Sequence, residues 1–125
     1  MSDFTAAFSV TIPAGTTIAS PVLVPCNIGI ADVESILVVV PAGCAGNVGF
    51  QIWAGGTTSY PTSKTQWFIF DDYTFTQEVS NQINSGQWAI NAYNVDTFQH
   101  VLQVYFKANH VTPSPVPASS PLVSL

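Results

Sequence analysis

The sequence predicts an all-β domain: a jelly-roll-like β-sandwich of about eight antiparallel strands, followed by a Pro-rich extended C-terminal tail. Three observations predict it. Apolar residues recur with a period of two along most of the chain, the alternation that separates a dry strand face from a wet one. Gly, Pro, Asn and Asp clusters interrupt that alternation at short, even intervals. No segment repeats apolar residues at i, i+3, i+4 and i+7 over three turns, so no helix competes for the same residues. At 125 residues the chain is long enough for one domain with a real core. An immunoglobulin-like sandwich is the near alternative, but no Trp lies between Cys26 and Cys44.

Each element follows from local pattern. Phe4, Ala6, Phe8, Val10 and Ile12 alternate with Thr5, Ala7, Ser9 and Thr11, a strand ended by Pro13-Ala14-Gly15-Thr16. Ile18 to Val24 reads as a short strand that Pro21 and Pro25 confine to an edge or a bulge. Val33 to Val40 contains Ile36-Leu37-Val38-Val39-Val40, whose lack of alternation predicts a strand covered on both faces. After the turn cluster from Pro41 to Asn47, Val48, Phe50 and Ile52 point one way and Gly49, Gln51 and Trp53 the other. Gly55-Gly56 opens a long polar loop that includes Tyr60-Pro61, and Trp67 to Phe70 is a short apolar strand. Asp71-Asp72 is a turn, and Tyr73 to Val79 alternates again. Asn81 to Gly86 reads as loop. Trp88, Ile90 and Ala92 share one face of the next strand, and His100, Leu102, Val104 and Phe106 share one face of the last.

Residues 1–111 therefore form the sandwich and 112–125 a tail of different character. The tail is uncharged and carries Pro113, Pro115, Pro117 and Pro121, which exclude it from a sheet interior and favour an extended chain. One reading is a solvated terminus. The other is an assembly arm laid along a neighbouring subunit, in which Pro113, Pro115 and Pro117 stiffen the segment and Leu122, Val123 and Leu125 supply apolar contact.

Charge excludes several functions. Charged residues make up 7% of the chain, against about 25% in an average soluble domain. Lys64 and Lys107 are its only basic residues besides histidine, too few for a nucleic-acid footprint or a polybasic membrane anchor. No apolar run approaches the roughly 20 residues of a membrane-spanning helix. Met1-Ser2-Asp3-Phe4 lacks the cationic and apolar regions of a signal peptide, so synthesis in the cytoplasm is expected, with Cys26 and Cys44 as free, half-buried thiols.

Chemistry has little to work with. His100 lies on the apolar side of its strand and reads as a satisfied, half-buried histidine; His110 lies near the end of the fold and reads as exposed. The acids fall mostly at turns, and neither Asp72 with Asp96 nor Glu78 with Asp96 is singled out as a facing hydrolytic pair. No Gly-x-Ser-x-Gly elbow, phosphate loop or metal-ligand spacing occurs, so neither enzymatic activity nor a cofactor or metal is expected. Trp53, Tyr60 and Trp67 gather near the long loop, as plugs of the sandwich's open edge, as protein-interface anchors, or as a stacking platform for a glycan.

Taken in order, Ile12-Pro13-Ala14-Gly15-Thr16, Ile36-Leu37-Val38-Val39-Val40-Pro41-Ala42-Gly43, Gly46-Asn47-Val48-Gly49-Phe50, Tyr60-Pro61, Trp88-Ala89-Ile90, Tyr93-Asn94 and His100 with Val104-Tyr105-Phe106 resemble a group of small all-β virion proteins of tailed bacteriophages. These are minor capsid, decoration or head–tail-associated components, and the resemblance covers roughly residues 8 to 110. It implies a jelly-roll-like domain, symmetric homo-oligomers such as a ring or a trimer on a lattice, no catalysis, and a place in the virion after synthesis in a bacterial cytoplasm. The expected partners are further copies of the chain and a major capsid or other virion protein, with no nucleic acid and no membrane. A carbohydrate-binding module on a virion or fibre is the alternative. The scarcity of charge agrees, because a surface hidden in permanent contacts gains nothing from ionised groups that must be desolvated.

Overall fold

Nine strands account for the computed structural model, which describes residues 3–55, 58–63, 65–85 and 87–110. They are β1 (Asp3–Ile12), β2 (Val22–Cys26), β3 (Ile30–Val40), β4 (Val48–Ala54), β5 (Thr58–Tyr60), β6 (Phe68–Ile69), β7 (Tyr73–Ser85), β8 (Trp88–Asn94) and β9 (His100–His110). The assembly arm read into Pro113, Pro115, Pro117, Leu122, Val123 and Leu125 lies outside the described residues.

The pairing is nested. β1 pairs with β9, β2 with β8, β3 with β7, and β4 with both β5 and β6, all antiparallel. Each pair encloses the next in sequence, as in one long hairpin rolled up so that successive pairs enter opposite sheets. One sheet runs β1-β9-β3-β7; the other runs β2-β8-β4-β5, with β6 also beside β4. β5 and β6 share that one place, so nine strands fill eight positions. Connections 13–21, 41–47, 70–72 and 95–99 gather at one end of the sandwich, called here the upper end.

The core lies between the sheets and follows strand parity. Val10 and Ile12 of β1 meet Leu102, Val104, Phe106 and Ala108 of β9, all buried, against Phe50, Ile52, Trp88 and Ile90 from the other sheet. Phe106 receives Phe8 edge-on at 5.7 Å and Trp88 at 5.5 Å. On the far side, Phe68 of β6 packs 4.4 Å from Phe75 of β7 and 5.4 Å from Phe50, closing the sandwich with aromatic surface.

Several boundaries differ from the sequence expectation. Residues Ile18 to Ser20 lie in a turn, and the strand starts at Val22 and carries Pro25 inside it, at the sheet edge where a missing N–H does no harm. β3 is not covered evenly on both faces. A bulge between Val33 and Ser35 changes its parity, so Ala31, Val33, Ile36, Val38 and Val40 all point inward while Leu37 and Val39 stay half-exposed. Residues 81–85 are not loop but continue β7, paired with the start of β3. Tyr60 lies in strand β5 rather than in a loop.

Candidate interaction surfaces

Three surfaces result, and they differ in how far the chain itself covers them. The first is the outer face of the β1-β9-β3-β7 sheet. Register sets its side chains in rows: Thr5, Lys107, Ser35 and Glu78; then Ala7, Tyr105, Leu37 and Thr76; then Ser9, Gln103, Val39 and Thr74. Within these rows only Lys107 and Glu78 carry charge, with Ser35 between them; beyond them the same face carries Asp32 and Glu34, whose Oε2 accepts from Asn109 Nδ2. Thr5, Ser35, Leu37, Tyr105 and Lys107 line an open hollow of about 370 Å³. Ser9 Oγ donates to Gln103 Oε1 at 2.9 Å, so that polar pair is satisfied within the face. The result is a plate that is mostly neutral around an apolar floor at Leu37 and Tyr105 and acidic at the end that carries Asp32 and Glu34.

The second is the outer face of the β2-β8-β4-β5 sheet, part of which the chain covers with its own residues Gln66 and Trp67. Gln51 is fully buried there despite its position on the outward side of β4. Its Oε1 accepts from Trp53 Nε1 at 2.9 Å and from Asn91 Nδ2 at 3.1 Å, and its Nε2 donates to the Gln66 carbonyl at 2.7 Å. Trp67 stands edge-on to Tyr93, which burial holds above the ordinary phenol pKa. Thus Trp53 and Trp67 are half-buried parts of a second packed layer. Tyr60 is not with them: it pairs with Ile52, packs inward on the core and is joined to Pro61 by a cis peptide bond. The structure brings Trp53 and Trp67 to one face and puts Tyr60 on the other.

The third is the upper end. Asn94, fully buried, donates through Nδ2 to the carbonyls of Ile12 and Phe98, and its Oδ1 accepts from the Asp96 amide. The Gly15 amide donates to the Asp96 carbonyl and the Val95 amide to the Asn47 carbonyl, so three loops are tied together. His100 Nε2 lies 2.9 Å from Asp96 Oδ2. That hydrogen bond, with one from the Thr97 amide, holds the Asp96 carboxyl below its ordinary value. The fixed loops display Phe98 at 72% exposure, Ile18 at 54% and Val95 at 50%.

The remaining reactive groups do not converge. Asp71 accepts from the Gly43 amide at 3.0 Å, and Asp72 takes the left-handed conformation of a turn. Glu78 lies on the plate, away from Asp96 at the upper end. Cys26 and Cys44 are free thiols, fully buried rather than half-buried; burial raises Cys26 to about 11, and burial with the negative charges of Asp71 and Asp96 raises Cys44. Among the described residues no three His, Cys, Asp or Glu side chains gather as a metal site would need. No described helix is long and apolar enough to cross a membrane. Neither Gln51 nor Asn94 stood out in the sequence, because a polar residue at an outward or turn position ordinarily reads as solvated.

No family model and no curated protein matches the sequence. Among solved structures the chain is similar to one in the X-ray structure of tomato aspermy virus, with a TM-score of 0.53 at 12% identity, covering 94% of this chain and 82% of that one. The nested pairing has the same reading. The fold is a jelly-roll-like sandwich. A second similar structure is the Yersinia pseudotuberculosis-derived mitogen, with a TM-score of 0.47 at 14% identity, covering 89% of this chain and 91% of that one. At 12% identity the likeness to the virus chain is one of fold alone.

Proposed function

We propose that this protein is a non-catalytic structural subunit of a bacteriophage virion, a minor capsid or decoration protein that binds the exterior of the capsid or neck as a symmetric homo-oligomer. The observation that carries this reading is the plate formed by β1, β9, β3 and β7, whose three upper rows expose mostly neutral side chains around an apolar floor, with Lys107 and Glu78 as their two charges and Asp32 and Glu34 beyond them. Such a plate suits a permanent contact, where each ion would cost desolvation. The chain as a whole repeats the pattern with 7% charged residues. A jelly-roll-like fold is compatible with this role without proving it, since one fold hosts many functions.

Contacts of this kind hold through apolar and hydrogen-bonded surface, so the assembly depends weakly on salt. Light-scattering mass of the purified full chain at low and high salt tests the reading. A discrete multimer of constant mass is expected. A monomer at high concentration, or one that binds glycans through Trp53, would overturn it in favour of a carbohydrate-binding module.

A further inference from the structure

Phe98 is the most exposed large apolar side chain among the described residues, at 72%. Its loop is not a loose one. The Asn94 amide donates to the Thr16 carbonyl, the Val95 amide to the Asn47 carbonyl, the Asp96 amide to Asn94 Oδ1 and the Thr97 amide to Asp96 Oδ1. Asn94 Nδ2, fully buried, then donates to the Phe98 carbonyl. Residues 94–98 are thus tied one after another, and the ring is held out in water by backbone with little freedom left. A ring so placed loses little entropy when it meets a partner, the condition that lets one aromatic side chain anchor a contact.

The plate offers a matching recess. Its hollow of about 370 Å³ is near the small end of the range for ligand sites, room for one aromatic side chain rather than a large ligand. Leu37 and Tyr105 floor it, and Thr5, Ser35 and Lys107 stand round them. Lys107 is exposed, and among the described residues the one ion pair is His100 with Asp96, so the Lys107 ammonium has no carboxylate of its own. The loop that carries Phe98 brings a carboxylate with it, Asp96, two residues before the ring. Knob and recess are therefore complementary in apolar character and in charge. They cannot meet within one subunit: Tyr105 lies five residues along β9 from His100, about 17 Å of extended strand.

We propose that Phe98 at the upper end of one copy inserts into the plate hollow of a second copy, over Leu37 and Tyr105, with Asp96 beside Lys107. The two surfaces differ, so the contact is heterologous, and repeated through successive copies it closes into a ring, the symmetric form of such a contact. This rests on the proposed assembly role and deepens it by naming one contact within it. A standard contact covers about 800 Å² per partner, while one aromatic side chain buries about 150–250 Å². The rest comes from Ile18 and Val95 at the same end and from the mostly neutral rows around the hollow.

The test mixes two full-length variants: Phe98→Asp, which spoils the knob, and Leu37→Asp, which spoils the recess. Both are surface substitutions, so each variant should melt close to the parent protein. Alone, each should be a monomer by light scattering. Mixed in equal amounts at high concentration, they should form a one-to-one dimer of twice the subunit mass, because one sound knob and one sound recess remain between them. Phe98→Ser and Lys107→Glu repeat the two lesions should either first variant melt early. A multimer that survives loss of the Phe98 ring, or a mixture that stays monomeric, would overturn the proposal. The parent protein separates this inference from the assembly role: a parent multimer with either of those outcomes removes the inference alone, and a parent monomer removes both.

Discussion

Tyr93 lies directly over Gly49: a methyl group added at Gly49 would sit 2.3 Å from Tyr93 Cε2. The two residues are paired across β4 and β8, and Trp67 stands edge-on to the same ring, 4.9 Å away at 85°. The glycine is therefore required by close approach and not by backbone conformation. Gly49→Ala should cost about 1–3 kcal/mol, as overpacking does. In a Tyr93→Leu background the same change should cost clearly less, and a double-mutant cycle in urea measures the difference. Additive losses would show that the ring is free to move aside.

Gln51 is the polar centre of the same layer. Gln51→Met preserves volume but removes the acceptor shared by Trp53 and Asn91 and the donor to the Gln66 carbonyl. Asn91 is the buried partner, and a buried group left unsatisfied costs roughly 1–3 kcal/mol. The substitution should lower the denaturation midpoint by an amount equivalent to about 1–3 kcal/mol, and should loosen Gln66 and Trp67 in hydrogen exchange before the core unfolds. A neutral result would mean that this layer contributes little to the fold.

Much of the fold was legible, and the exceptions have identifiable causes. In β1 and β9 the even residues face inward from Phe4 to Ala108 without interruption, so alternation alone assigned both faces. In β3 the inward positions switch from odd at Val33 to even at Ile36, and the bulge between them turns two short alternations into what reads as one unbroken apolar run. Residues 81–85 carry Asn, Gln and Ser and so read as loop; pairing with the first residues of β3 overrides that propensity. For the candidate surfaces, the neutral character of the plate could be read from composition, and its rows could not, because register across four strands is a tertiary property. The covering of Gln51 was hidden for the same reason: nothing local to β4 shows that Gln66 returns over it.

At the upper end, stability should depend on pH through Asp96. Its carboxyl is held below the usual 3.8 by the hydrogen bond with His100 and then by the Thr97 amide. A carboxyl lowered in the folded state contributes stability that is fully present above its unfolded value and is lost as pH falls through its folded value. Asp96→Asn should therefore lower the melting temperature at neutral pH, with the deficit shrinking toward zero in strong acid. Thermal melts of both proteins down through the carboxylate range check this. A deficit of constant size at every pH would assign the loss to loop geometry rather than to charge.

The plate makes the most direct demand on the proposed role. Leu37 lies half-exposed in its floor, beside Tyr105 in register, with its backbone in the middle of a central strand. Leu37→Asp changes no inward contact, since Ile36 and Val38 carry the core at that level. In an isolated subunit the new carboxylate meets water and costs little, as surface substitutions do. In an assembly that covers the plate it must be desolvated without a partner, and a truncated or unpaired group at such a position costs about 2 kcal/mol or more, roughly a thirtyfold loss in association. The expected outcome is a folded protein with a nearly unchanged melting curve and a light-scattering mass shifted to smaller species. Glu78→Gln on the same face should move the other way or not at all, because it removes an ion from the contact. If Leu37→Asp leaves the multimer intact, the plate faces solvent in the assembled state, and the contact must be sought among the fixed apolar loops at Ile18, Val95 and Phe98.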